Sequence, residues 1–243
     1  VAIYVDNLLE LFKYIIAVPA IFGGAIWLGF MWRGISKSAV IIQASICLLI
    51  YAIIPNLFPS IDAIKTNPRF VQETVEKVVM VETEAITEDV ENGLALFVGE
   101  EIQKEHLVVP VGIFFDQVIH VDPDNPDSQK IGQGRFQAEV WIVGWFGVDF
   151  SNWSKAQLVA LRFLFSAIFP FILLFLISAI TKPVPIEVTN RFFSKLHTTV
   201  QKTDEEEKEQ LAISYAKPDR YKHRKIWPNS KWELMIPGRI DYI

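Results

Sequence analysis

The sequence has a single cysteine, Cys47, which excludes a disulfide within the chain. Cys47 lies in a charge-free run and reads as a small buried hydrophobe. Histidine is scarce too, with four residues. His197 and His223 have no Cys or His partner at ligand spacing, and His106 and His120 fall on the opposite side of the membrane in the topology derived below. All four read as solvated side chains rather than metal ligands. There is no glycine-rich phosphate loop and no assembly of a nucleophile with a base, so the chain is not read as an enzyme. No basic stripe interleaved with aromatics is present, which leaves no argument for nucleic acid as a partner.

Charge is missing from three long stretches, and this is the most informative lack. Phe163 to Thr181 contains no ionisable side chain, and its leucines, isoleucines and phenylalanines cover every helical face. Ala39 to Phe58 has no charge either. Leu8 to Trp32 is apolar except near its start, where Glu10 and Lys13 can pair on one face. A helix that is apolar all round belongs to a large core or to a membrane. A chain of 243 residues at 51% hydrophobic content can bury one such helix but not three. The expectation is therefore three transmembrane helices, over 8–32, 39–58 and 154–182, each about the length a bilayer needs. Pro19, Gly23, Gly24 and Pro170 fit that setting, since membrane helices tolerate both residue types. The first stretch is too long for a signal-peptide core, and Asp6 rather than a basic segment precedes it. The chain begins with Val1 and reads as a fragment of something longer.

Charge also sets the expected orientation. The turn Arg33-Gly34-Ile35-Ser36-Lys37-Ser38 carries two bases and no acid. Pro59 to Lys155 carries 17 acids against 7 bases, and Lys182 to Ile243 carries 12 bases against 9 acids. Short basic turns stay inside. Residues 33–38 and the tail 183–243 are thus expected in the cytoplasm and 59–153 outside, with the lipid bilayer as the immediate partner.

The outer segment, 59–153, is too patterned for a plain loop and is expected to be a small α+β insert. Asn67-Pro68 opens an expected helix through Val75, and VVMVETEA turns extended. Thr87 is expected to cap a helix that begins with acids. HLVVPVGIFFDQVIHVD has the composition of strands. GRFQAEVWIVG alternates, with Phe136, Ala138, Val140 and Ile142 on one strand face. Asp122 to Ser128 gathers carboxylates but lacks the spacing of a calcium loop, and its Asp-Pro and Asn-Pro pairs make turns unaided. Arg162, about two helical turns beyond the expected cap Ser154, is in reach of headgroups or of an acid of the insert. In the tail, Val188, Phe192 and Leu196 fall at helical spacing beside Arg191 and Lys195. That pattern suits either a helix at the inner membrane surface or one packed on the bundle. Thr203 caps a further helix through Tyr215, and an irregular segment rich in proline, tryptophan and base follows.

RFLFSAIFPFILLFLISAITKP, with PVPIEVTNRFFSKLHTTV and YAKPDRYKHRKIWPNSKWEL after it, resembles the C-terminal third of sodium:solute symporter family proteins. These are relatives of the sodium/glucose cotransporters, and the likeness is to the bacterial branch with a large outer loop. FGGAIWLGFMWRGISKSAVIIQAS is similar to the family's pair of late spans joined by a basic turn. The resemblance implies an all-α membrane protein built from a leucine-transporter-like inverted-repeat fold, here with an extramembrane insert and a cytoplasmic tail. It implies sodium-coupled symport of a small solute by alternating access, in a bacterial inner membrane. Residues 8–32 would be the last core helix and the other two spans peripheral. The sodium ligands would lie upstream of Val1, leaving this chain with no cofactor or metal of its own, and a further span would follow Ile243. Where the sugar carriers place a polar contact, this chain has an apolar residue near Phe12, which argues against sugar as the solute. Lys13 and Tyr14 beside it are candidates for lining the outer vestibule; the alternative places Lys13 among outer headgroups and Tyr14 in the aromatic belt. A second functional reading is a membrane-anchored binding or sensor module whose outer insert recognises a ligand or partner.

Overall fold

Long charge-free runs fold as helices. The computed structural model describes residues 8–125 and 127–236, and for residues 8–18 and 20 the backbone alone. Helix α1 is Leu8–Met31 and α2 is Lys37–Leu48. Ser36 starts α2, its Oγ accepting from Ala39 N at 2.9 Å. The run continues through a π-helical turn, Leu49–Ile53, into α3 (Ile54–Leu57) and a 3₁₀ turn, Phe58–Ser60. Pro55 explains the irregularity, because it has no N–H to give the carbonyl of Tyr51 four residues back. Arg135 Nη2 donates to that carbonyl at 2.9 Å. The chain then forms α4 (Asp62–Lys65), β1 (Lys77–Glu84), α5 (Thr87–Glu91), β2 (Glu101–Val108), β3 (Phe115–His120) and β4 (Lys130–Phe136). It ends with α6 (Ala138–Gly144), α7 (Lys155–Ile180), α8 (Ile186–His197) and α9 (Asp204–Ala216).

The expected class, an all-α membrane protein with three transmembrane helices of a leucine-transporter-like inverted-repeat fold, does not hold. The protein is mixed α/β, with two two-stranded antiparallel sheets, β1–β2 and β3–β4. Among the described residues two helices, not three, are long and apolar enough to cross a membrane: Lys37–Ser60 and Lys155–Ile180. Helix α1 runs over 24 residues, and the side chains described in it are those of Pro19 and Ile21–Met31.

The chain divides into two compact units, Val1–Leu49 with Phe165–Ile243, and Ile50–Leu164. In the first, Leu28, Ala39 and Leu174 form a core on which Ala25, Trp32, Phe171 and Phe175 pack. Gln43 is fully buried in α2 and ties it to α1, Nε2 donating to Ile21 O at 2.9 Å. Helix α8 packs through buried Phe193 and leaves Val188, Phe192 and Leu196 exposed. Thr203 caps α9 as its position predicts, Oγ1 accepting from Glu206 N.

The second unit is organised by its hairpins. Strands β1 and β2 pair from Lys77↔Val108 to Glu84↔Glu101, and Val78, Val79, Met80 and Val81 are all exposed, so neither face of this hairpin is covered. The β3–β4 hairpin is the buried one. Phe115 and Phe136 are paired and fully buried, and Phe58 and Phe70 approach the Phe136 ring at 5.0 and 5.4 Å. Gly132 is required opposite them, because a Cβ there would stand 2.2 Å from the Phe115 ring. Ile113, Val140, Phe150 and Leu158 make a second cluster.

Three local expectations change. The alternation in GRFQAEVWIVG is strand only as far as Phe136; α6 follows, burying Ala138, Glu139 and Val140 in succession. Asn67 does not open a helix: its Oδ1 accepts from Arg69 N at 2.9 Å, an Asx turn that follows the short α4. At α5 the capping side chain is Asp89, which reaches back to Ile86 N at 3.1 Å, rather than Thr87. The segment at Asp122 is a turn, with Asp124 N donating to Asp122 Oδ1 and Ser128 Oγ to Asp122 O.

Candidate functional site

The basic turn after α1 is gripped by the tail. Trp32 bridges Trp232 in antiparallel register, with Arg33 N donating to Lys231 O at 2.9 Å and Glu233 N to Met31 O at 2.7 Å. The tail reaches this point by doubling back, Ile226 N donating to Leu234 O and Ile236 N to Arg224 O. Successive residues of an extended segment face opposite ways. Trp232 joins Trp32 and Phe175, with ring centroids 6.2 and 5.9 Å away, while Glu233 enters a nest of bases.

The Glu233 side chain is 1% exposed. Arg33 Nε and Lys225 Nζ both donate to its Oε1, the lysine at 2.9 Å, and His197 Nδ1 lies 3.8 Å from Oε2. Arg33 also donates through Nη1 to Asn190 Oδ1 of α8, and its guanidinium sits 4.9 Å from the centroid of Phe193. Lys225 completes its shell on Ser230 O at 3.0 Å. Burial pushes the His197 imidazole below its ordinary range; Arg33, Lys225 and Arg224 push the same way and Glu233 opposes them. The ring is therefore neutral at pH 7. A cleft of about 250 Å³ opens beside the node, lined by Arg33, His197, Tyr221, Lys225, Ser230 and Glu233 among others. A buried carboxylate held by two bases is a lock, because removing one partner leaves a largely buried charge uncompensated.

A second polar cluster lies in the hairpin unit. Asp116 accepts from Arg135 N at 2.8 Å and from Gln137 Nε2 at 2.6 Å. Gln137 Oε1 accepts from Arg162 Nη1, so the arginine near the start of α7 is joined to the insert through an amide. Glu139 is 5% exposed, and its Oε2 has no hydrogen-bond partner. Burial drives its carboxyl above the usual range, and Asp116 adds to this; its own backbone, Arg135 and Arg162 pull the other way. The cluster fixes β4, α6 and α7 to one another.

Neither cluster was legible in the sequence as a site. Arg33 and Glu233 are 200 positions apart, and the only hint was the density of tryptophan and base in the tail. Lys13 and Tyr14 stand in α1, and their side chains lie outside the described residues. Among the described residues no group of three or more His, Cys, Asp or Glu side chains could hold a metal ion. Comparison of the chain with protein families, with curated proteins and with solved structures finds no match.

Proposed function

We propose that this chain is a late, membrane-embedded part of a sodium-coupled solute symporter in a bacterial inner membrane, with the turn 33–38 and the tail 183–243 in the cytoplasm and 59–153 outside. One observation carries the reading. The stretches on which the family resemblance rests, FMWRGISK and KIWPNSKWEL, lie at opposite ends of the chain, yet they meet at Trp32–Trp232 and Arg33–Glu233. Their meeting supports reading the two likenesses as parts of one joint. It also supports the reading, drawn from charge, that these two segments lie on one side of the membrane. In this reading the joint braces the helices against the rocking that alternating access requires. In this reading the coupling sodium is held by residues outside 1–243, while Lys13 and Tyr14 of α1 are the candidates for lining the solute's outer vestibule.

A second reading, a membrane-anchored binding or sensor module, draws on the uncovered β1–β2 hairpin, since a two-stranded hairpin exposed on both faces is marginal alone. Uptake separates the two. Proteoliposomes holding the polypeptide as cells make it are given an inward sodium gradient and radiolabelled amino acids, carboxylates and sugars. The symporter reading expects at least one non-sugar solute to accumulate with sodium and not with potassium. It expects no accumulation by residues 1–243 alone. Sodium-independent binding without transport would favour the module.

A further inference from the structure

We infer that Trp145 and Phe146 seat the hairpin unit on the lipid interface, as an anchor outside the helices that cross it. The inference rests on the reading that Lys37–Ser60 and Lys155–Ile180 are in a membrane. Trp145 is 66% and Phe146 83% exposed, which is costly for large aromatics on a surface that faces water alone. Residues 140–148, VWIVGWFGV, contain no ionisable group, so nothing in the stretch opposes entry among headgroups. A turn closes the segment, with Gly147 N donating to Gly144 O at 3.0 Å.

Continuity with an apolar helix identifies the occupant. Phe58 lies at the end of the run Lys37–Ser60. Its ring is 5.7 Å from Trp141, and Trp141 is 4.9 Å from Trp145. An unbroken line of aromatic rings thus leads from the end of a membrane-length helix to the exposed pair. Tryptophan and its aromatic neighbours concentrate where such helices leave the hydrocarbon, the ring in the acyl boundary and the N–H among headgroups. The same segment runs on through Phe150 and Trp153, whose rings are 5.2 Å apart, into α7 at Lys155. The apolar patch at Leu96 and Phe97 is flanked by Glu91, Glu100 and Glu101, and the exposed Val78–Val81 of β1 sits between Lys77 and Glu82; among the described residues neither is joined by aromatic rings to the end of a membrane-length helix.

The test uses nitroxide labels on the full chain in vesicles of phosphatidylcholine and phosphatidylglycerol. Cys47 is fully buried, so an introduced cysteine is labelled selectively. Phe146→Cys is compared with Ile172→Cys in the middle of α7 and with Leu96→Cys, all three at exposed positions. The expected result is a label at 146 that oxygen relaxes strongly and a water-soluble nickel chelate relaxes weakly, between the values at 172 and 96. A label at 146 as open to the chelate as the one at 96, with 172 shielded, overturns the anchor and leaves the membrane reading standing. Chelate access at 172 as well overturns both.

Discussion

Glu233→Ala is expected to release the tail from the basic turn. The carboxylate is the shared acceptor of Arg33 and Lys225, and the side chains it holds are mostly removed from solvent. Without it two cations face each other across a cavity, and breaking a buried pair in this way costs about 3 kcal/mol or more. Limited trypsin digestion reads the open population of the tail, which offers Lys222, Arg224, Lys225 and Lys231. Cleavage there should be about a hundredfold faster in the variant, since each 1.4 kcal/mol is tenfold. Arg33→Ala should cost much less in the Glu233→Ala background than alone, because the two act as a unit. Unchanged cleavage would mean the tail is held by Trp232 and the backbone bridges instead.

Acid should loosen the same joint in the unaltered chain. His197 is held below its ordinary value in the folded state, so its contribution is fully present above the unfolded value, about 6.5. It is lost as pH falls from there through the lowered folded value, because the released tail binds the proton more readily. Digestion with an acid-tolerant protease should therefore accelerate below about pH 6.5. In Glu233→Ala the response should be steeper, since the one acid that favours the imidazolium is gone.

The second large effect is expected at Gly24. A Cβ there would stand 3.3 Å from Pro170 Cβ and 3.8 Å from Leu174 Cδ1, so α1 and α7 meet closely at this glycine and leave no room for a large side chain. Gly24→Leu adds three further carbons into that contact and should destabilise by about 1–3 kcal/mol through overpacking. Gly23→Leu is the control, because nothing lies within 4 Å of a Cβ at that position. Thermal unfolding in detergent should show a clear drop for the first and little change for the second. Equal behaviour would mean the two helices do not meet at Pro170. The mid-helix proline is thus half of a close contact as well as a tolerated interruption.

How much of this the sequence disclosed depends on how local each cause is. The apolar runs of α2 and α7 were visible because their meaning lies in length and absence of charge. Strands β1 and β3, and β2 from His106 on, were visible in β-branched and aromatic composition; the polar start of β2, Glu101–Glu105, was not. The end of β4 was not, since Phe136, Ala138 and Val140 satisfy strand alternation as well as the first turn of a helix; packing decided it. The helix expected from Asn67 was lost to an Asx turn, a competition between side chain and backbone that pattern does not rank. The π-helical turn needed Pro55 and Arg135 together, 80 positions apart in the numbering. The lock needed Arg33 and Glu233 to be brought together by the tail's return, which no spacing encodes.

The most direct test of the central claim is sidedness. Single cysteines are placed at Ser38 in the basic turn, Lys208 in α9 and Leu96 in the insert, and intact spheroplasts are treated with a membrane-impermeant maleimide. With the insert outside and the turn and tail inside, Leu96→Cys is expected to react at once, and Ser38→Cys and Lys208→Cys only after the membrane is opened. Reaction of the turn and the tail from opposite sides, or of all three in intact spheroplasts, would contradict it.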